Sequence, residues 1–215
     1  MWLVVLFKML RRIRLVDLNY KVKNLFPISI HQFQINDFDD MKGKLIDYAY
    51  DSKEKDSVGV TFSNIGGWQS RSLFRDPNLS KDDLINNLLV DFLSELPFVG
   101  KQFRYRLDAW ININKNGDSN MPHVHPTSHL SGVMWLKCPK NCGQIVFTSP
   151  YEFVGAKEYE IYSDDFQKEH SSYTSYHFNP TEGCIILFPS HLLHHVNPNK
   201  SNEDRISVAF NMSFQ

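Results

Sequence analysis

The second half of the chain is a succession of short strand-like segments, and this pattern limits the possible folds more than any other feature. In the last segment, polar or small residues at odd positions alternate with apolar residues at even positions: Arg205, Ser207, Ala209 and Asn211 against Ile206, Val208, Phe210 and Met212. Successive side chains of a strand point to opposite faces, so one face is apolar and the other carries functional groups. We expect the polar face to line a pocket inside a barrel-like jelly roll.

Six segments have strand character because they are rich in β-branched and aromatic residues and are separated by glycine, proline, asparagine and aspartate. They are Phe103–Asn114, Leu130–Lys137, Gln144–Thr148, Tyr173–Phe178, Cys184–Pro189 and Arg205–Phe214. A shorter strand-like run, interrupted by a proline, lies at Leu25–Ile30.

The first hundred residues favour helices instead. Apolar residues at three- and four-residue steps predict an amphipathic helix at about 37–52. A second helix is predicted from Lys81, with Ser80 as its N-cap. Helices followed by a run of antiparallel strands predict an α+β fold with a jelly-roll core.

The length of 215 residues fits one domain. We expect a basic N-terminal extension over 1–24 and a domain over 25–215, with helical support at about 37–100 and the jelly-roll core at about 103–215. The apolar run at 1–7 is too short to span a bilayer. It is interpreted as an extra helix or a poorly ordered extension, with a membrane-touching basic amphipathic helix or a transit-like segment as the alternatives.

Charge and cysteine content exclude some classes of protein. The net charge is −1, which gives no electrostatic argument for nucleic-acid binding. The three cysteines are an odd number and indicate a reducing compartment, so we expect a cytoplasmic protein. No transmembrane segment is expected, and the chain is predicted to be a monomer or a homodimer.

Six of the nine histidines fall in two short clusters, at 123–129 and 191–195. His123 and His125 are two residues apart, so on an extended segment they project to the same side. A histidine from the second cluster, distant in sequence but near in a folded sheet, would complete a three-sided metal site. Imidazole suits iron, and three ligands on one face leave positions open. Arg205, downstream, offers a fixed positive fork for a carboxylate, so the layout predicts an iron oxygenase with a keto-acid co-substrate.

The second cluster resembles the second half of the 2-oxoglutarate/Fe(II) oxygenase signature. There a histidine, a valine two residues on and a proline four residues on precede an Arg-x-Ser, as in His194, Val196, Pro198, Arg205 and Ser207. The segments 110–114, 122–126, 130–133 and 183–190 resemble a family of 2OG-Fe(II) oxygenases related to prolyl hydroxylases, and 25–27 and 66–70 resemble its N-terminal half.

The resemblance covers about residue 25 to the end and implies a double-stranded β-helix (jelly-roll, cupin-like) core with flanking N-terminal helices. It implies Fe(II) and 2-oxoglutarate as cofactors, O₂ as a co-substrate, and His194 as the distal ligand, with His195 pointing outward. The implied reaction hydroxylates an unactivated C–H bond with release of succinate and CO₂.

One ligand departs from the superfamily pattern, in which the residue two places after the first histidine is an acid. Position 125 is a histidine. Three alternatives stay open: His125 replaces the carboxylate, which we favour; an acid such as Asp118 fills the place; or water or an anion does. His129 is either a supporting residue near the metal or a solvent-facing turn residue.

By the same resemblance, Arg205 binds the far carboxylate of 2-oxoglutarate and Ser207 donates a hydroxyl beside it. Asn114, and less directly Asn112, are candidates for the opposite wall. The alternative for Arg205 is a surface ion pair with Glu203 or Asp204.

Trp68 and Trp135 are candidate walls or lids for the primary substrate, with core packing as the alternative for Trp135. The primary substrate is predicted to be a prolyl residue, another protein side chain or a small metabolite. Two other functions compete with this one. The first is a three-histidine dioxygenase without 2-oxoglutarate, and the second is a non-catalytic jelly-roll module that binds metal or carboxylate.

Overall fold

The computed structural model describes residues 20–24, 27–74, 84–97, 104–151, 157 and 160–214, and its strands form two antiparallel sheets. The helices are α1 (Asp39–Lys55), α2 (Leu84–Ser94) and α3 (Asp164–His170). The strands are β1 (His31–Gln34), β2 (Asn64–Ile65), β3 (Trp68–Gln69), β4 (Tyr105–Asn114), β5 (Ser119–His123), β6 (Leu130–Lys137), β7 (Ile145–Thr148), β8 (Ser175–Phe178), β9 (Cys184–Pro189), β10 (His194–Val196) and β11 (Arg205–Phe214).

The larger sheet has the strand order β1-β9-β6-β11-β4-β3, and the smaller has the order β2-β5-β10-β7-β8. Consecutive strands often lie in different sheets, as in a jelly roll. The predicted α+β class with a jelly-roll core is confirmed. Most of the predicted extension, residues 1–19, lies outside the described residues, as do Phe103, Ser80 and Lys81.

One face of the larger sheet packs against the helices. Leu45 and Ala49 of α1 and Leu89 of α2 are buried in the same cluster as the apolar side of β11. Because β11 alternates, its other side faces the smaller sheet, and the predicted division into an apolar and a polar face is confirmed. A second apolar cluster, which includes Trp135 and Phe147, joins the two sheets.

Long, strongly patterned elements have the predicted bounds, whereas short ones differ. β6, β9 and β11 begin and end where predicted, and α1 begins two residues after the start of the first predicted helix and ends three residues after its end. Residues 27–30 of the predicted first strand are irregular, and the strand there is β1 instead. The sequence pattern does not reveal β5 or β10, because β5 contains Pro122 and β10 has only three residues. Both strands are held by pairing with strands that are distant in the sequence.

The chain crosses from the smaller sheet to the larger one at Gly66-Gly67, between β2 and β3. Both glycines have positive φ, +66° and +67°, which side chains rarely adopt. A Cβ on Gly67 would lie 2.6 Å from the side-chain nitrogen of Asn114. The turn therefore requires glycine for its conformation and for its close approach to β4.

Gly67→Ala is expected to lower the free energy of unfolding by about 1–3 kcal/mol, the cost of a left-handed conformation for a residue with a Cβ. Urea denaturation measures the change. Gly43→Ala is the matched control, because a Cβ on Gly43 in α1 meets nothing within 4 Å and alanine favours helix. Equal unfolding midpoints for wild type and Gly67→Ala would contradict the role of the turn.

No helix in the described part of the chain is both long enough and apolar enough to cross a membrane.

Candidate active site

Three histidine side chains meet on the smaller sheet. β5 and β10 are neighbours, and His194 stands directly opposite His123 in their register. His125 follows the end of β5, and its backbone N–H donates to the carbonyl of Ser190 at 2.8 Å. One ring nitrogen from each of the three histidines lies within 4.8 Å of the others. The fold thus gathers an all-imidazole group with the spacing of metal ligands.

Hydrogen bonds fix the proton positions on two of the rings. Nδ1 of His123 donates to the carbonyl of Met121 at 2.7 Å, and Nδ1 of His194 donates to the carbonyl of Leu192 at 2.8 Å. A carbonyl only accepts, so in both rings the proton is on Nδ1. Nε2 keeps its lone pair for a metal, the usual arrangement of a ligating histidine.

Burial keeps the three imidazoles neutral. Desolvation lowers the pKa of His194 to about 3 and that of His125 to about 4, and it also lowers the pKa of His123. The mutual repulsion that protonated rings would feel acts in the same direction on His125 and His194. At neutral pH protons therefore do not compete with a metal for these nitrogens.

The structure brings no carboxylate into this group among the described residues. Oδ2 of Asp118, the acid considered above, accepts from the backbone N–H of Lys115 at 2.7 Å within its own turn. His129 accepts at Nδ1 from the backbone N–H of Phe214 at 3.2 Å. His195 is half-buried beside His194 on β10 and lies outside the metal-ligand group.

The histidines open into a cavity of about 1070 Å³ between the two sheets. Its opposite wall is the polar face of β11 and the facing residues of β4, which pair in register: Arg205 with Asn114, Ser207 with Asn112, Ala209 with Trp110 and Asn211 with Asp108. The alternation of β11 therefore places polar groups along the whole length of the cavity.

Arg205 is a buried cation at one end of this wall, with 2% of its surface exposed. Its Nη1 donates to the carbonyls of Cys142 and Asn197, the latter at 3.2 Å. The two acids offered as surface partners are engaged elsewhere: Glu203 pairs with Lys137 at 3.0 Å, and Asp204 accepts from the hydroxyl of Tyr50 at 3.0 Å. The alternative interpretation of Arg205, a surface ion pair with Glu203 or Asp204, is therefore wrong.

Within the described residues no acid forms an ion pair with Arg205. Burial lowers the pKa of Arg205, but a guanidinium keeps its proton in a protein. A buried charge is costly unless it is paired, so this end of the cavity is suited to an anion. Asn114 and Ser207, both buried, lie beside it in the same wall.

Of the two tryptophans predicted as cavity walls, only Trp135 lines the cavity. Trp68 does not line the cavity: it packs in the core with the helices, and its Nε1 donates to the carbonyl of Asp56 at 2.7 Å. Trp135 does line it, while stacking on Phe178 with ring centroids 5.6 Å apart.

Trp110 also lines the cavity, with its ring centroid 6.0 Å from that of His125. Sequence reasoning missed it as a site residue. Its place on β4, two positions from Asn112 and four from Asn114, was the signal that it shares their face.

A family model described as "Putative 2OG-Fe(II) oxygenase" matches residues 108–211. This range holds the three histidines, Arg205 and both cavity walls. The match covers 104 of the 215 residues, so this part of the chain is similar to the 2OG-Fe(II) oxygenases. The family match indicates an Fe(II)- and 2-oxoglutarate-dependent oxygenase, and 2-oxoglutarate and O₂ are co-substrates of the family.

Solved structures share the fold of this chain at low sequence identity. A Pseudomonas putida prolyl-4-hydroxylase superposes with a TM-score of 0.60 at 14% identity, covering 87% of this chain and 94% of that one. The carbocyclase SnoK from nogalamycin biosynthesis superposes with a TM-score of 0.59 at 10% identity, covering 86% of this chain and 79% of that one.

A prolyl hydroxylase from Trichoplax adhaerens, in complex with a hypoxia-inducible-factor peptide, superposes with a TM-score of 0.57 at 11% identity. The superposition covers 85% of this chain and 83% of that one. These likenesses identify the core as the double-stranded β-helix of 2OG oxygenases. No curated protein matches the chain in sequence.

Proposed function

We propose that this oxygenase holds Fe(II) through Nε2 of His123, His125 and His194, and hydroxylates an unactivated C–H bond of a substrate bound in the same cavity. The donor set fits the metal, because three neutral imidazoles on one side leave the other positions for co-substrate and oxygen. When bound, Fe(II) supplies the O₂ activation that couples conversion of 2-oxoglutarate to succinate and CO₂ with oxidation of the substrate.

The observation that carries this function is the buried cation Arg205, which has no acidic partner among the described residues and lies in the same cavity as the imidazoles. In the proposal, Arg205 binds the distal carboxylate of 2-oxoglutarate through its remaining N–H groups, while Nη1 stays fixed by backbone carbonyls. Ser207 and Asn114 supply hydrogen bonds beside it. An all-imidazole site carries one negative charge fewer than a site with an acid, which favours a dianionic co-substrate.

An anaerobic titration tests both halves of the site. Metal-free protein receives Fe(II) and then 2-oxoglutarate, and the weak visible charge-transfer band of an iron–keto-acid chelate is followed. We expect the band in wild type, its loss in His194→Ala, and a higher 2-oxoglutarate requirement in Arg205→Ala. Iron binding without a band would favour the three-histidine dioxygenase that does not use 2-oxoglutarate. Absence of metal binding would favour a non-catalytic module.

The substrate is proposed to occupy the part of the cavity beyond Trp110, on the side of Asp108. β4 runs from Asn114, opposite Arg205, through Trp110 near His125, to Asp108. The co-substrate end and the substrate end therefore lie on opposite sides of the metal group. The volume exceeds that of a usual small-ligand pocket, roughly 300–1,000 Å³, and accommodates 2-oxoglutarate together with a prolyl residue, another protein side chain or a small metabolite.

Trp110→Ala is expected to separate substrate use from co-substrate use. Substrate-free turnover of 2-oxoglutarate should stay within about threefold of wild type, because Trp110 lies apart from Arg205, whereas stimulation by a substrate should fall by 10-fold or more if an aromatic contact of about 1.5 kcal/mol is lost. Succinate formation, measured with panels of proline-containing peptides and of metabolites, gives both numbers. Equal stimulation in the two proteins would place the substrate elsewhere.

We further propose a cytoplasmic location, supported by the free thiols of Cys138, Cys142 and Cys184, and a monomer or homodimer without nucleic-acid partners. The division into an extension at 1–24 and a catalytic domain at 25–215 also stays a proposal.

A further inference from the structure

His125 differs from the other two histidines in the partner of its Nδ1. In His123 and His194 that partner is a backbone carbonyl, which only accepts. In His125 it is Nδ2 of the Asn211 side-chain amide, at 3.3 Å, so in this structure the amide presents its donor to the ring. An amide offers either a donor or an acceptor to the ring, depending on its orientation.

The orientation of this amide decides whether His125 is a ligand through Nε2. When Nδ2 of Asn211 faces the ring, it donates to Nδ1, and the proton of the neutral imidazole is then on Nε2. When Oδ1 faces the ring, it accepts from Nδ1–H, and Nε2 presents its lone pair. The oxygen and nitrogen of an amide have nearly the same shape, so both orientations fit the same space.

Two buried hydroxyls accommodate either orientation. In this structure the Oγ of Ser131 donates to Oδ1 of Asn211 at 2.7 Å and lies 2.8 Å from the Oγ of Ser190. Ser131 is 1% exposed and Ser190 is fully buried. A hydroxyl both donates and accepts, so the contacts from Asn211 to Ser131 and from Ser131 to Ser190 are kept when the amide turns over.

The same chain also holds the backbone of His125. The carbonyl of Ser190 accepts from the backbone N–H of His125 at 2.8 Å. Asn211 and Ser131 are direct neighbours across β11 and β6. The backbone and the ring of His125 are therefore both tied to one buried polar cluster on the central strands of the larger sheet, although His125 itself follows a strand of the smaller sheet.

We propose that Asn211 is a positioning residue of the metal site. On metal binding the amide turns over from its orientation in this structure, so that Oδ1 accepts from Nδ1–H of His125 and Nδ2 donates to Ser131. This orientation selects the tautomer that binds metal through Nε2. A carboxylate at position 125 would need no such partner, because either of its oxygens is a ligand. An imidazole there does need one. The inference rests on the proposed histidine triad and adds a residue that touches neither metal nor co-substrate.

The test uses Zn(II) as a diamagnetic probe of wild type, Asn211→Leu and Asn211→Asp. Leucine keeps the bulk and removes the acceptor, so Zn(II) affinity should fall roughly 10–100-fold, the usual effect of losing a hydrogen-bond partner of a ligating histidine. Aspartate keeps an acceptor, so affinity should equal or exceed that of wild type. Ser213→Ala, two residues further along β11 with its hydroxyl bonded to the carbonyl of Thr127, is the control with unchanged affinity.

Long-range ¹H–¹⁵N NMR of the Zn(II)-loaded wild-type protein gives a second readout that does not depend on how the variants fold. We expect a proton on Nδ1 of His125 and zinc on Nε2. An unprotonated Nδ1, or an Asn211→Leu affinity within about threefold of wild type, would overturn the role of Asn211 while leaving the triad intact. If wild type binds neither Zn(II) nor Fe(II), the triad and this inference fail together.

Discussion

His194→Ala is expected to abolish Fe(II) binding and with it the Fe(II)-dependent consumption of 2-oxoglutarate. His194 is buried, 3% exposed, and one of its ring nitrogens belongs to the group of three that lie within 4.8 Å of one another. Loss of a supporting partner alone costs roughly 10–100-fold in metal affinity or activity, so loss of a ligand should cost more than about 100-fold. Isothermal titration with Fe(II) under argon and an assay of succinate formation measure the two effects.

His195→Ala is the matched control, because this neighbour on β10 is half-buried and stands outside the group. Folding is checked by urea denaturation with and without metal. When the Fe(II) concentration is 100 times the dissociation constant, the free energy of unfolding of wild type should rise by about 2.7 kcal/mol. That of His194→Ala should not change. Equal activity of His194→Ala and His195→Ala would refute the assignment of the distal ligand.

Arg205→Ala is expected to weaken 2-oxoglutarate binding by roughly 30-fold or more while Fe(II) still binds. Truncating one partner of a buried, hydrogen-bonded charge pair costs about 2–5 kcal/mol, and about 1.4 kcal/mol corresponds to tenfold in the dissociation constant. The 2-oxoglutarate affinity of Arg205→Lys should lie between those of wild type and Arg205→Ala, because lysine keeps the charge but lacks the planar guanidinium. The dissociation constant is obtained from the charge-transfer band at increasing 2-oxoglutarate.

Pyruvate makes this test specific, because it has the keto-acid group of 2-oxoglutarate but lacks the distal carboxylate. Wild type should prefer 2-oxoglutarate strongly, and Arg205→Ala should lose most of that preference. If the preference persists in the variant, the distal carboxylate is bound by another residue. If the substitution weakens the binding of pyruvate and of 2-oxoglutarate equally, it has disturbed the site as a whole, since Arg205 also holds the carbonyls of Cys142 and Asn197.

The parts of the fold that could be predicted from the sequence are those in which neighbouring residues decide the structure. β11 is the best example: its ten residues alternate so regularly that the strand, its bounds and its polar face all follow. The stripe that includes Leu45 marks α1 for the same reason, since the helix buries it. In such segments the hydrophobic effect acts on one face of a regular element, and the period is visible locally.

The parts that could not be predicted depend on distant pairing. β5 has Pro122 in it and β10 is only three residues long, so neither has a strand period of its own. The pairing of one with the other sets His123 opposite His194. Trp68 illustrates the same limit: its neighbours Gly66 and Gly67 mark a turn, but which side of that turn faces the cavity depends on the position of β4.

The sequence by itself determined the chemical groups and the alternation that presents them: two histidines at a spacing of two, a third far along the chain, and an arginine at the start of a two-faced strand. Only the tertiary structure decided that these groups share one cavity, that Arg205 is buried without an acidic partner among the described residues, and that Asn211 reaches His125. The physical reason is that a strand's period follows from local burial, whereas the residue across a sheet or a cavity is set by pairings between segments far apart in the chain.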